Sequence, residues 1–159
     1  MSYNLIVVFR EIEHTADRAI EIEAETLEGL FQEAVAALST LYSGEKPMSA
    51  PGKIRKTIKI TVQAEDLEGL LIKFLNEVIF HTERGGVLFT SSRVKIEKSP
   101  SIPLLQRGRR GIREEGYFLT AELFNGKITP LSEVKSATYH NLKVEKRDGK
   151  WHTMIVFDV

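Results

Sequence analysis

Two strand-to-helix passages of nearly the same wording constrain this chain more than any other feature. Thr26-Leu27-Glu28-Gly29-Leu30 is answered later by Asp66-Leu67-Glu68-Gly69-Leu70. Each follows an alternating segment. Ile20-Glu21-Ile22-Glu23-Ala24-Glu25 alternates apolar and acidic residues, and Ile58, Ile60 and Val62 share one face of a strand expected over 54–62. Behind the first passage, Leu27, Leu30, Phe31, Ala34, Val35 and Leu38 recur at helical spacing as one apolar stripe. Behind the second, Leu67, Leu70, Leu71, Phe74, Leu75 and Val78 do the same. Thr26 and Asp66 are the expected N-caps, with Glu28 in the first turn suiting the helix dipole. The helices should stop near Tyr42, before Ser43-Gly44 and Pro47, and before Gly85-Gly86. The match fits either a duplicated strand–helix unit or convergent helix-start chemistry.

The rest of the chain reads mostly as strands. A β-branched and aromatic run over 5–9 precedes a polar block, and further strands are expected over 87–98, 117–124, 135–146 and 150–159. Asn125-Gly126 and Asp148-Gly149 are hairpin-type turns. The sum is an α+β domain over 1–159: two helices packed on a mostly antiparallel sheet of about six or seven strands. One segment breaks the regularity. Residues 99–115 hold two prolines and no periodicity, and read as a flexible insertion loop. Arg107, Arg109, Arg110 and Arg113 form a basic cluster there, which could contact phosphate or simply be solvated.

Composition narrows the partners. Lys plus Arg equals Asp plus Glu at 22 each, so no global field draws the protein onto nucleic acid or membrane. The absence of Cys excludes disulfides, thiolate metal sites and a cysteine nucleophile. No apolar run approaches membrane-spanning length, and Met-Ser-Tyr-Asn-Leu does not resemble a signal peptide, so a cytoplasmic protein is expected. No P-loop, dinucleotide fingerprint or G-x-S-x-G elbow is present.

The chemistry-bearing residues lie in three places. Glu13-His14-Thr15-Ala16-Asp17 packs two acids, an imidazole and a hydroxyl into one strand junction, where a backbone-bonded turn is the plain alternative. The chain closes on Asp158-Val159. If Asp148-Gly149 is a two-residue turn, counting outward sets Tyr139 opposite Asp158 and Thr138 opposite Val159, which brings Lys135 to His140 near that end. Should Asp17 reach the same end, crowded carboxyl groups would call for a cation. Hard oxygen donors select Ca²⁺ or Mg²⁺ over zinc or copper. The four histidines (14, 81, 140 and 152) show no zinc-type spacing, and His14 and His140 could act as ligands, acid–base groups or hydrogen-bonding pillars.

Taken together, these motifs resemble the archease family. The likeness is carried by the Glu13–Asp17 block, by Ala24-Glu25-Thr26-Leu27-Glu28-Gly29-Leu30-Phe31 and by Asp66-Leu67-Glu68-Gly69-Leu70-Leu71. It continues through Val134-Lys135-Ser136-Ala137-Thr138-Tyr139-His140 and Phe157-Asp158-Val159, in family order over nearly the whole chain. The resemblance implies a protein cofactor of tRNA splicing and RNA repair, not an enzyme. It would promote guanylylation and turnover of a GTP-dependent RNA ligase. A divalent metal, Ca²⁺ before Mg²⁺ or Mn²⁺, would sit on Asp17, Asp158 and a main-chain or terminal oxygen of Val159. His14, Lys135, Tyr139 and His140 become candidates for activating the partner, with tRNA involved at most indirectly and no membrane. Rival readings are a chaperone or specificity modulator of a tRNA methyltransferase, a metal-dependent hydrolase, and a tRNA-binding module using the arginine loop. Ser136 stands where the family usually has Ala, and the loop over 99–115 is longer than the family pattern.

Overall fold

A computed structural model describes residues 11–14, 17–44, 57–99, 116–126 and 130–159. The expected strand over 5–9, the turn residues Thr15 and Ala16, and the arginine cluster lie outside the described residues. In order, the elements are β1 (Glu11–His14), β2 (Asp17–Ala24), α1 (Leu27–Ser43), β3 (Thr57–Ala64), α2 (Leu67–Gly85), β4 (Phe89–Ser99), β5 (Gly116–Asn125), β6 (Ser136–Thr138), β7 (Val144–Arg147) and β8 (Lys150–Asp158).

Both helices begin as the two matching passages dictate. The Thr26 hydroxyl accepts the Gly29 N–H at 3.0 Å, and the Asp66 carboxylate accepts the Gly69 N–H at 2.6 Å. Each cap satisfies a donor that the first helical turn leaves unpaired, a contribution of about 1 kcal/mol. Both helices also end alike, on a left-handed glycine whose N–H donates to a threonine carbonyl: Gly44 to Thr40 and Gly86 to Thr82. The repeat therefore extends from sequence to cap geometry at both ends.

The fold class is α+β, with the strands shared between two antiparallel sheets. The first runs β1-β2-β8-β6, with β7 also paired to β8; the second runs β3-β5-β4. The helices interlock them. α1 follows β2 of the first sheet and packs against β4 of the second, whereas α2 follows β3 of the second and packs against β6 of the first. The core lies between helices and sheets, with Leu30, Phe31, Phe74, Leu75, Leu119, Ile155 and Phe157 all fully buried.

Helix side chains also finish the sheet edges. Gln32 of α1 accepts the Val94 N–H on β4 at 3.3 Å, and Lys73 of α2 donates to the Gln63 carbonyl on β3 at 3.1 Å. Such bonds use up main-chain groups that would otherwise template another chain.

Two strand expectations are corrected. Asn125-Gly126 does not join neighbouring strands. β5 lies between β3 and β4, the next strand belongs to the other sheet, and the Gly126 N–H donates to the Leu88 carbonyl at 3.1 Å. The expected strand over 135–146 is two pieces, β6 and β7, parted by a turn in which the Leu142 N–H donates to the Tyr139 carbonyl at 3.1 Å. Asn141 takes φ 52° there, a left-handed conformation that Asn tolerates better than most residues.

Candidate functional site

The two-residue turn at Asp148-Gly149 forms as expected, with φ of 50° and 79° and Arg147 opposite Lys150. Counting outward from it holds as far as Val144 opposite Thr153. The turn after β6 then shifts the register by three residues. Ser136 faces Asp158, Ala137 faces Phe157 and Thr138 faces Val156. The expected pairings of Tyr139 with Asp158 and of Thr138 with Val159 are therefore corrected. The physical cause is the break itself, because residues 139–143 leave the ladder while β8 runs straight through. The Val144 N–H goes to the Glu68 carboxylate at 2.9 Å.

Across the sheet the register is decisive for the acids. His14 faces Asp17 across β1 and β2, Asp17 faces Asp158 across β2 and β8, and Asp158 faces Ser136 across β8 and β6. One row of neighbouring positions thus brings the junction of β1 and β2 together with β8 and β6, more than a hundred residues further along the chain. Directly opposed residues lie about 5 Å apart at Cα and point their side chains to the same face. Phe157 points into the core, so Asp17 and Asp158 share the opposite face, where Asp17 is exposed and Asp158 half-buried. Lys135 joins them, since its N–H donates to the Asp158 carbonyl at 2.8 Å. Its side chain is exposed, as is that of Val159.

The remaining candidates lie elsewhere. Tyr139 is 59% exposed, and its hydroxyl reaches over the start of α2, where a Cβ added at Gly69 would meet it at 3.6 Å. His140 is exposed in the turn, with Nε2 3.2 Å from the Asn141 amide nitrogen. His152 faces Glu23 at 3.6 Å, and His81 faces Glu77 at 3.8 Å, so neither serves the row.

Residues invisible to the motif reading hold this end of the sheet in place. The Tyr42 hydroxyl donates to Glu83 at 2.8 Å and lies 3.3 Å from the Val134 carbonyl. The Tyr42 carbonyl accepts the N–H groups of Leu131 and Ser132. Burial first, and then the Glu83 carboxylate, push the Tyr42 phenol far above its ordinary value of 10.0. A folded-state value raised above the unfolded one contributes stability below the unfolded pKa, and that stability drains as pH climbs past it. Denaturant titrations above pH 10 should therefore show the unaltered protein losing stability faster than Tyr42→Phe. Near neutrality the same substitution should cost about 1 kcal/mol through its lost hydrogen bonds.

The profile of the archease protein family matches residues 9–159. The chain belongs to the archease family. Among relatives, Protein archease of Pyrococcus abyssi is 32% identical over 153 residues, covering 92% of this chain and 95% of that protein. Protein archease of Methanopyrus kandleri is 34% identical over 151 residues, covering 95% and 99%. Solved structures share the fold. The solution structure of Methanobacterium thermoautotrophicum protein 1598 superposes with a TM-score of 0.66 at 17% identity, covering 95% of this chain and 98% of that one. The crystal structure of a Thermotoga maritima archease, described as a possible chaperone, gives 0.56 at 22% identity, covering 94% and 96%.

For this archease, the acid row supplies two opposed side-chain carboxylates. No three His, Asp or Glu side chains among the described residues gather closely enough to hold a metal ion. A calcium-type ion does not require three, because it also accepts main-chain oxygens and water. The oxygen-only donors fit such an ion and disfavour a thiophilic one. No helix among the described residues is long and apolar enough to cross a membrane.

Proposed function

We propose that this archease is a cytoplasmic protein cofactor of tRNA splicing and RNA repair. It promotes guanylylation and turnover of a GTP-dependent RNA ligase and is not itself the catalyst. The observation that carries the reading is the pairing of Asp17 with Asp158, with Lys135 bonded beside them, in a chain of this family. Asp17, Asp158 and a main-chain oxygen at Val159 would hold a divalent ion, Ca²⁺ first. When bound, the ion supplies positive charge suited to ordering phosphate oxygens. Asp17 and Asp158 fix where that charge sits. Lys135 adds an exposed ammonium at the same sheet end, and His14 and His140 are further groups for contact with the ligase.

The test is multiple-turnover RNA ligation by the cognate ligase with GTP and metal, with and without this protein. The unaltered protein should stimulate turnover, and Asp17→Ala should remove at least about tenfold of that stimulation. Full stimulation by a folded Asp17→Ala protein would refute the metal-centred mechanism. No stimulation of an active ligase by the unaltered protein would favour a second reading, a chaperone for a tRNA methyltransferase. That reading draws on the description of the Thermotoga maritima relative and on the exposed Phe80 and Leu131.

A further inference from the structure

The strand that carries Lys135 to the acid row is only three residues long and lies at a sheet edge. A strand residue sends its N–H and C=O to the same side, and its neighbours send theirs to the other. At Ala137 both groups are taken by one side chain. The Ala137 N–H donates to Asn76 Oδ1 at 2.9 Å, and Asn76 Nδ2 donates to the Ala137 carbonyl at 3.4 Å. The carboxamide of α2 thus occupies the place of a further strand. It reaches across a separation of 61 residues and is itself only part-buried. We propose that Asn76 is the positioning residue of the site: it sets the register of β6 and, through it, the place of Lys135 beside Asp158.

Chemistry favours this assignment over simple packing. An apolar residue of the same size would fill the space, yet it would leave the Ala137 donor and acceptor without a protein partner. Asn presents both complementary groups from one short, nearly rigid side chain. The Tyr42 bonds hold Val134, on the other side of Lys135, so the lysine backbone is fixed from two helices. Loss of the Asn76 clamp frees the segment that follows Lys135 while leaving the Tyr42 clamp intact.

The assignment rests on reading this sheet end as the working site, and its experiment separates the two claims. Amide hydrogen exchange on the full chain would follow Lys135, whose N–H bonds Asp158, against Leu119 and Leu123 in the other sheet. Calorimetry would follow Ca²⁺ binding in the same proteins. In Asn76→Leu, exchange at Lys135 should rise about tenfold beyond any change at Leu119 and Leu123, whereas Ca²⁺ affinity should not fall, because the oxygen donors lie on Asp17, Asp158 and Val159 and not on β6. Asn76→Asp keeps an acceptor for the Ala137 N–H and should recover part of the lost protection at Lys135. Exchange at Lys135 that moves only in step with Leu119 and Leu123 would overturn the assignment and leave Asn76 a stability residue. If the unaltered protein takes no Ca²⁺, the metal reading falls, and the exchange comparison alone decides for or against Asn76.

Discussion

Phe74→Ala should destabilise this protein by about 3–5 kcal/mol, the usual cost of emptying a phenylalanine site in a packed core. Phe74 is fully buried on α2, and its ring meets that of Phe31 on α1 at a centroid distance of 6.0 Å. Each helix packs against strands of both sheets, so a cavity there cannot be filled by shifting one helix without loosening it from a sheet. A domain of this size is stable by roughly 5–15 kcal/mol in total, so the substitution removes a large share of the whole. Denaturant unfolding should show a lower midpoint with an unchanged slope, and heating should show a transition about 10 °C lower. A loss below about 1 kcal/mol would mean that the two helices do not share one core.

The helices were legible because their signals are local and redundant. The stripes from Leu27 to Leu38 and from Leu67 to Val78, the capping side chains and the terminal glycines all agree, and agreement across levels is what makes an element readable. The division into two sheets was not legible. Alternation states which face of a strand is buried, but not which strand lies beside it, so β5 could not be assigned between β3 and β4 from its own residues. The slip after β6 shows the same limit on a smaller scale. Asp148-Gly149 announces its turn through two residues suited to positive φ. The break at residues 139–143 carries one weak signal, Asn141, inside a run that otherwise alternates acceptably.

The candidate site divides along the same line. Asp17 and Asp158 stand out because each sits in a family motif, Glu13–Asp17 and Phe157–Val159, whereas their pairing across the sheet shows only in the register. Asn76 and Tyr42 carry no such mark. An Asn or Tyr on a helix is ordinary, and its value here comes from a backbone partner at Ala137 or Val134 that no local pattern reveals. Motifs report groups that meet a ligand or an ion. Residues that aim those groups are visible only once the chain is folded.

That distinction gives the second large expectation, a substitution whose effect on stability changes sign with calcium. Asp17→Asn removes one of two carboxylates that face each other across β2 and β8. Like charges directly opposite cost a sheet up to about 1 kcal/mol, so without metal the variant should be the more stable protein by a few tenths to about 1 kcal/mol. The exposed position of Asp17 means that little packing is lost in the exchange. With calcium at about a hundred times its dissociation constant, the unaltered protein should gain about 2.7 kcal/mol from binding to the folded state alone. The variant lacks half of the carboxylate pair and should gain far less, so the order of stability reverses. Thermal unfolding of both proteins with chelator and with excess calcium checks this directly. An equal gain from calcium in both would place the ion away from Asp17. No advantage for the variant in chelator would mean that the two acids do not repel across the strands, and crowding could no longer be the reason a cation belongs there.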